Sequence, residues 1–200
     1  MRDWVVRRLG RKPYVETYDA MRAFIKDRSA DSQDELWVLE HEPVYTVGLS
    51  VKEAPETIHD IPVVLTDRGG KVTYHGPGQL VFYPLLHLKK HGLSARKLVC
   101  VLENTVLLLL QAFDITAHRM DGAPGIYVNG KKIASLGLKI KNGYSYHGLS
   151  LNIDMDLTPF SWIDPCGYHG LEMTQLKDFN VDTTMDTVAN MLIDSFERTL

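Results

Sequence analysis

Two Asn-Gly dipeptides, Asn129-Gly130 and Asn142-Gly143, constrain the fold of this chain more than any other feature. Residues typical of strands flank each dipeptide. Asn-Gly readily supplies the two positive φ angles of a type I′ turn, which joins the strands of a tight hairpin. Two such turns in succession therefore predict a three-stranded antiparallel meander.

A two-residue loop at Asn142-Gly143 sets the pairing of the strands on either side of it. Counting outward from the loop pairs Lys141 with Tyr144, Gly137 with Gly148, and Ser135 with Ser150. Facing glycines remove side chains from one face of a sheet, and adjacent serines could bond a polar group of a ligand. The same glycines could instead mark a β-bulge or close packing by another element, so both interpretations stay open.

Apolar periodicity predicts three helices and several strands around this meander. The helices are residues 13–28, beginning at Pro13, residues 95–113, with Ser94 as N-cap, and residues 184–198. The strands are residues 36–40, 44–48, 61–65 and 80–88. Pro84 in the last strand indicates an edge position or a break, because proline cannot donate to the ladder.

Length and composition limit the class of protein. A chain of 200 residues with 44% hydrophobic content can bury one substantial core, so we expect a single domain over residues 1–200. No apolar run is long enough to span a bilayer and the N-terminus does not resemble a secretory signal, which predicts a soluble, cytoplasmic protein. The net charge of −3 gives no general attraction to nucleic acid or membranes. The histidines and the two cysteines lack zinc-ligand spacing, so we predict no metal.

The run from Arg68 to Gln79 predicts a binding loop. It contains four glycines, which let the backbone approach a ligand closely. Thr73, Tyr74 and His75 between them supply hydrogen-bond donors and an aromatic wall. Two tight turns would explain the glycines alone, but the polar and aromatic residues among them favour a site.

Cys166 is the candidate nucleophile, because it lies on a Pro-Cys-Gly turn. Cys100 lies inside the second predicted helix, and we interpret it as a small buried hydrophobe. A thiol at neutral pH needs a nearby cation or base for activation. The candidates are Lys131, Lys132, Lys139, Lys141, His75, His147 and His169.

Lys132 is the most informative of these candidates. In a regular strand its side chain shares a face with the apolar residues Ala134, Leu136, Leu138 and Ile140. A partly desolvated ammonium in that setting can pair with a thiolate or give up its proton. The alternative is an aliphatic stem that packs on the sheet while the charged head reaches water.

Taken together, these motifs resemble the octanoyl-[acyl-carrier-protein]:protein N-octanoyltransferases, the lipoyl(octanoyl) transferases of lipoate synthesis. The similarity runs through most of the chain, over residues 41–48, 68–79, 123–128, 132–138, 146–152 and 165–168. It implies a single-domain α+β fold like that of biotin and lipoate protein ligases, with a mixed or antiparallel sheet and flanking helices. It also implies octanoyl-acyl carrier protein as donor, and as acceptors the lipoyl domains of 2-oxoacid dehydrogenase complexes and the glycine cleavage H protein. No cofactor is implied beyond the phosphopantetheine that the donor carries.

The resemblance further implies that Cys166 is the nucleophile and Lys132 its activating partner. The substrate contacts that it implies are Arg68, Gly69, Gly70, Lys71, Val72, Thr73, Tyr74, His75, Ser135, Leu136, Gly137, Gly148, Leu149 and Ser150. Strict alternation places Lys132 on the opposite face from Ser135 and Gly137, so these assignments require a bulge or a strong twist between them. Two other functions stay open: an ATP-dependent lipoate or biotin protein ligase, and a carrier-protein-binding module without turnover.

Overall fold

The computed structural model describes residues 4–29, 32–164 and 170–200. Its largest element is a seven-stranded sheet with the order β1-β2-β7-β11-β10-β9-β8. The strands are β1 (Trp4–Lys12), β2 (Asp34–His41), β7 (Gln79–Leu85), β8 (His118–Met120), β9 (Ala123–Val128), β10 (Lys131–Lys141) and β11 (Tyr144–Asn152). The sheet is mixed, because β1 runs parallel to β2 whereas the other neighbours are antiparallel.

A second sheet of four strands lies beside the first. Its order is β4-β5-β3-β6, formed by β3 (Val44–Val47), β4 (Thr57–Ile58), β5 (Ile61–Leu65) and β6 (Val72–His75). A small apolar cluster that includes Tyr45, Tyr74 and Phe160 packs against it. The predicted binding loop therefore becomes a turn followed by the edge strand of this sheet.

Three helices cover the large sheet: α1 (Tyr14–Asp27), α2 (Ala95–Gln111) and α3 (Met185–Thr199). All three confirm the predicted segments to within two residues. Ser94 caps α2 as predicted, since its Oγ accepts a hydrogen bond from the Lys97 amide at 3.2 Å. The main core lies between the sheet and the α2 and α3 helices, and a second core lies between the opposite face and α1. These elements confirm an α+β architecture with flanking helices.

The meander predicted from the two Asn-Gly dipeptides is present as β9, β10 and β11. Asn129 and Gly130 have φ angles of 51° and 79°, and Asn142 and Gly143 have φ angles of 52° and 82°. The β10–β11 pairing is the predicted one, with Lys141 opposite Tyr144, Gly137 opposite Gly148 and Ser135 opposite Ser150. A two-residue turn has fixed this register locally.

Two parts of the large sheet differ from the prediction. Strand β1 was missed because it is an edge strand with several charged, exposed residues, so its sequence shows little apolar alternation. The strand predicted over 80–88 ends at Leu85, and a 3₁₀ turn, Leu88–His91, follows it. Pro84 is not at an edge, because β7 lies between β2 and β11. It marks a break instead, since the β7–β11 ladder stops at Phe82 and Leu149.

Within the described residues, no helix is both long and apolar enough to cross a membrane.

Candidate active site

A β-bulge in β10 decides which way Lys132 points. Lys132 pairs with Tyr127 of β9, but the next pair joins Ala134 to Ile126, so Ile133 is an extra residue on β10. Consistently, the consecutive residues Ile133 and Ala134 both lie in the main core. The side chain of Lys132 therefore projects to the opposite face.

This face of β10 also carries Ser135 and Gly137. The expectation that Lys132 shares its face with Ala134 and Leu136 is thus wrong, because it assumed an unbroken strand. The bulge that the family resemblance required is present. It joins Lys132 to the surface formed by the predicted substrate residues.

Lys132 is completely buried, with 0% of its surface exposed. Its Nζ lies 5.5 Å from the centroid of the Tyr127 ring, within the range of a cation–π contact. The alternative in which its ammonium reaches water is therefore wrong. Its backbone amide donates to the Glu172 carbonyl at 2.9 Å, and its carbonyl accepts from the Thr174 amide at 2.9 Å. A segment that begins six residues after Cys166 is thus held against Lys132.

Cys166 and the alternative activator His169 lie outside the described residues. Cys100 is exposed, so its interpretation as a buried hydrophobe is wrong. The buried face of α2 is formed by residues such as Leu98, Val101 and Leu102, and Cys100 lies off that face.

A narrow cavity lies on the Lys132 face of the large sheet, between β10, β11, β6 and α1. Only about 40 Å³ of it is open to the centre of a water-sized sphere, so it is a narrow slot rather than a wide pocket. Its walls are Tyr14, Arg68, Gly70, Lys71, Val72, Thr73, His75, Tyr83, Ser135, Leu136, Gly137, His147, Gly148, Leu149 and Ser150. Twelve of the fourteen residues named as substrate contacts from the sequence are among them, so three segments distant in sequence meet at one cavity.

The two remaining residues of that set lie elsewhere. The ring of Tyr74 packs against Tyr45 and Phe160 behind the small sheet. Gly69 donates its amide to the Leu138 carbonyl at 3.0 Å and so fastens the glycine loop to β10. It lines a second, more open cavity at that edge.

Arg68 shapes the loop that forms one wall of the cavity. Its buried guanidinium donates to the Thr46 carbonyl at 2.6 Å, to the Gly69 carbonyl at 2.9 Å and to the Lys71 carbonyl at 2.8 Å. It also donates to the Thr46 hydroxyl. These charge-assisted hydrogen bonds fix the backbone of Gly70 and Lys71 against the cavity.

The glycine pair at the centre of β10 and β11 is close-packed rather than open. A Cβ on Gly137 would lie 3.1 Å from Arg68 Cδ and 3.2 Å from the Gly69 carbonyl oxygen. A Cβ on Gly148 would lie well under 3.0 Å from the Phe82 carbonyl oxygen. The interpretation as an open notch is therefore wrong at Gly148, and close approach by neighbouring elements is the reason for glycine at both positions.

Three cavity residues, Tyr14, Tyr83 and His147, were not among the predicted substrate contacts. His147 was named only as a possible activator, and no local motif marks the two tyrosines. Their positions on the buried sides of α1 and β7 are typical of ordinary core residues. The packing of α1 against the sheet brings Tyr14 to the site, where Tyr83 already lies on β7.

His147 and Asp67 form a hydrogen-bonded pair beside this wall, with 3.0 Å between Nε2 and Oδ1. Burial lowers the pKa of His147, so at pH 7 the imidazole is neutral and its Nε2–H donates to the carboxylate. Burial alone would raise the pKa of Asp67, but hydrogen bonds from His147 and Tyr146 outweigh it and hold that pKa well below its usual range. The pair fixes the orientation of the ring.

His75, another wall residue, is also held neutral, because burial lowers its pKa to about 3. Its Nδ1 lies 2.7 Å from Gln79 Oε1, and Gln79 Nε2 donates to Asn152 Oδ1 at 3.0 Å. Asn152 Nδ2 in turn donates to the Thr174 carbonyl at 3.0 Å. This amide chain connects the cavity wall to the segment that holds Lys132.

The chain matches the lipoyl protein ligase A/B catalytic domain over residues 13–197. An octanoyltransferase from Chromobacterium violaceum is 52% identical over 199 residues, which cover 98% of this chain and 95% of that protein. Another, from Dechloromonas aromatica, is 53% identical over 191 residues, 94% of this chain and 92% of that protein. The chain belongs to the octanoyltransferase family. As a member of this family it is an acyltransferase, as its sequence resemblance implied.

Solved structures of lipoate and biotin ligases share the fold of this octanoyltransferase family member. A structure of a bi-partite lipoate protein ligase and its E2 lipoyl domain from Thermoplasma acidophilum gives a TM-score of 0.76 at 16% identity, covering 100% of this chain and 84% of that chain. Biotin protein ligase from Aquifex aeolicus, in complex with biotin and ATP, gives 0.60 at 13% identity, covering 100% and 70%. At such identities the likeness shows the fold alone, and it confirms the predicted ligase-like fold.

Proposed function

We propose that the protein transfers an octanoyl group from acyl carrier protein to the ε-amine of a lysine on a lipoyl domain, through a thioester on Cys166. The observation that carries the proposal is the bulge at Ile133, which turns the buried Lys132 onto the face of β10 that lines the cavity. A buried lysine on the sheet face that lines a substrate cavity is suited to activate a thiol and to move a proton.

In the first step, the Cys166 thiolate attacks the carbonyl carbon of the octanoyl thioester. A bond forms between Cys166 Sγ and that carbon, and the bond from the carbon to the phosphopantetheine sulfur breaks. The Lys132 ammonium gives its proton to the departing sulfur. The products are the octanoyl-Cys166 thioester, a neutral Lys132 and the free thiol of the carrier protein.

In the second step, the ε-amine of the acceptor lysine attacks the same carbonyl carbon. An amide bond forms, the bond to Cys166 Sγ breaks, and the neutral Lys132 takes the proton that the amine loses. Both residues thus return to the thiolate and ammonium forms in which they began. One lysine serves as acid in the first step and as base in the second, so no further proton donor is needed.

The cavity on the Lys132 face of the large sheet suits an acyl tail. Its walls combine apolar surface with backbone from Gly137, Gly148 and the loop after Arg68. Burying each methylene is worth about 0.8 kcal/mol, roughly a fourfold change in affinity per carbon. We therefore expect graded selection by chain length rather than a sharp limit. Backbone amides near Gly137 are candidates for stabilising the oxyanion.

The fold neighbours support a lipoyl domain as acceptor. The Thermoplasma acidophilum ligase was studied together with its E2 lipoyl domain. We propose that acceptors of this protein are lipoyl domains of 2-oxoacid dehydrogenase complexes and the glycine cleavage H protein. We also propose that the reaction needs no cofactor other than the phosphopantetheine of the donor.

Intact-protein mass spectrometry after incubation with octanoyl-acyl carrier protein, without ATP and without acceptor, tests the covalent mechanism. We expect one octanoyl adduct, and peptide mapping should assign it to Cys166. Cys100→Ala should leave the adduct and the transfer rate unchanged, whereas Cys166→Ala should abolish both. Transfer that proceeds with no adduct, or an adduct on Cys100, would contradict the proposal. A strict requirement for ATP would favour a ligase.

A further inference from the structure

Lys132 lies in a space that β9 leaves open for it. Gly125 and Tyr127 are alternate residues of β9, so their positions face the same side of the sheet, and Tyr127 pairs with Lys132. The Tyr127 ring lies beside the Lys132 ammonium. Gly125 has no side chain, and this leaves room for the side chain of Lys132.

The structure shows how little space is left at Gly125. A Cβ at this position would overlap Lys132 Cε, would lie 2.7 Å from the Ala134 carbonyl oxygen and would lie 3.0 Å from Lys132 Nζ. Real Cβ atoms essentially never approach other heavy atoms to under 3.0 Å. Gly125 also has a φ of 142°, a conformation that residues with side chains rarely adopt.

Lys132 could not yield to such a Cβ at little cost. Its side chain is completely buried, with the Tyr127 ring close to Nζ. Both neighbouring backbone hydrogen bonds, to Glu172 and from Thr174, fix its Cα. An added methyl group would therefore displace the ammonium itself.

We propose that Gly125 is a positioning residue of the acyl transfer reaction: its missing side chain determines where the Lys132 ammonium lies. The inference rests on the proposed role of Lys132 as the activating partner of Cys166. Gly125 touches no reacting atom in this scheme and acts only through Lys132. Its substitution should consequently alter the reactivity of Cys166 as well as the rate of transfer.

The test is the rate at which iodoacetamide alkylates Cys166 as a function of pH, measured in a Cys100→Ala background with Gly125→Ala. We expect the midpoint of the rate profile to move to higher pH and octanoyl transfer to fall ten- to a hundredfold. Gly130→Ala is the matched control, because Gly130 also has a positive φ, 79°, in the same hairpin but has open space around its Cβ position. It should leave the alkylation profile unchanged.

A double-substitution cycle separates this inference from the proposed function. If Lys132→Met leaves the alkylation profile unchanged, the proposed role of Lys132 fails. If Lys132→Met shifts the profile but Gly125→Ala does not, only the inference about Gly125 fails. If both shift it, Gly125→Ala should add nothing in the Lys132→Met background, and additive effects would overturn the inference.

A folding measurement covers the case in which Gly125→Ala does not fold. Truncating the neighbour with Lys132→Ala removes the overlapping Cε but not the contact with the Ala134 carbonyl, so the double variant should regain a cooperative thermal transition and part of the lost stability. Failure of Lys132→Ala to restore folding would mean that the Ala134 carbonyl and the backbone angle, not the lysine, require glycine at position 125. That outcome would overturn the inference.

Discussion

The two hairpins of the meander share the same kind of turn but differ in the regularity of their strand pairing. Asn129-Gly130 and Asn142-Gly143 adopt nearly identical positive φ angles. The β10–β11 pair then runs in unbroken register for eight residue pairs, whereas the β9–β10 pair slips at Ile133, two residues after its first pair. The regular hairpin lines the middle of the cavity, and the bulged hairpin supplies Lys132.

This difference shows that a turn sets the register of the residue pairs next to it, whereas core packing can shift the register of pairs further along the strands. In β10, Ile133 and Ala134 both enter the main core, which a strictly alternating strand cannot allow. The bulge buries one more apolar side chain and places Lys132 on the face of β10 that carries Ser135 and Gly137. Bulges that redirect a side chain next to a functional site are a recurring device.

The largest expected effect distinguishes two adjacent lysines of the bulged hairpin. Lys132→Met should lower octanoyl transfer by about 10²- to 10⁴-fold, the usual contribution of a general acid–base group. Lys131 projects to solvent and pairs with exposed Glu172, so Lys131→Met should change transfer less than about threefold. Steady-state transfer rates of both variants make the comparison. Similar losses in the two would show that the bulge does not select Lys132.

The next effect compares the paired glycines of the regular hairpin. Gly148→Val should cost at least about 3 kcal/mol of folding stability, because its Cβ would overlap the Phe82 carbonyl of the adjacent strand. Gly137→Val should cost less, about 1–2 kcal/mol, since its nearest neighbour is the Arg68 side chain. For a protein of this size, each kcal/mol lowers the Tm by roughly 2–4 °C.

The rate of octanoyl transfer gives a second comparison for these glycine variants. Folded Gly137→Val protein should transfer octanoyl groups slowly, because displacing Arg68 loosens the loop that forms the cavity wall. Thermal unfolding and transfer rate should be measured on the same preparations. Equal melting temperatures for the two variants would contradict the close packing at Gly148.

Much of this fold could be predicted from local signals. Turn dipeptides, the Ser94 cap and apolar periodicity depend on residues near one another in sequence, and they predicted the three helices and the β10–β11 register. Strand β1 could not be found this way, because an edge strand exposed to solvent carries charges where alternation would otherwise show. The bulge at Ile133 was required by the family resemblance but could not be derived from the residues of β10 alone.

The residues of the candidate site also fall into two groups: those marked by a local sequence motif and those placed by packing between distant elements. The loop from Arg68 and the two segments around Gly137 and Gly148 carry a recognisable motif, and the structure brings them to one cavity. Tyr14 carries no such signal, and Gly125 lies in the matching segment 123–128 but no role for it could be derived from the sequence. The position of Tyr14 depends on how α1 packs on the sheet, and the requirement for glycine at 125 depends on where the Lys132 side chain lies.

A third, smaller effect concerns acid sensitivity at the regular hairpin. Burial lowers the pKa of His147, and it lowers that of the neighbouring wall residue His75 to about 3. Both pKa values lie below the unfolded value of 6.5, so the unfolded chain binds more protons. Stability should therefore be full above pH 6.5 and should fall as the pH drops below it, by up to about 1.4 kcal/mol per pH unit for each histidine; for His75 this loss continues down to about pH 3.

Thermal unfolding between pH 7 and pH 4 measures this slope. His147→Gln should make the curve flatter, because one proton-binding group of the unfolded chain is removed. A slope unaffected by His147→Gln would mean that this histidine is protonated equally in the folded and unfolded states.

The smallest expected effect returns to the two turns themselves. Asn129→Ala and Asn142→Ala each place a residue with an ordinary side chain at a positive φ near 50°, which costs about 1 kcal/mol. Both turns are exposed, so the two losses should agree within a few tenths of a kcal/mol, each lowering the Tm by roughly 2–4 °C. Denaturant titration of the two variants under identical conditions provides the comparison. A loss at Asn129 much larger than that at Asn142 would mean that the bulged register depends on its turn, and that the turn and the packing of Ile133 are one cooperative unit rather than two independent determinants.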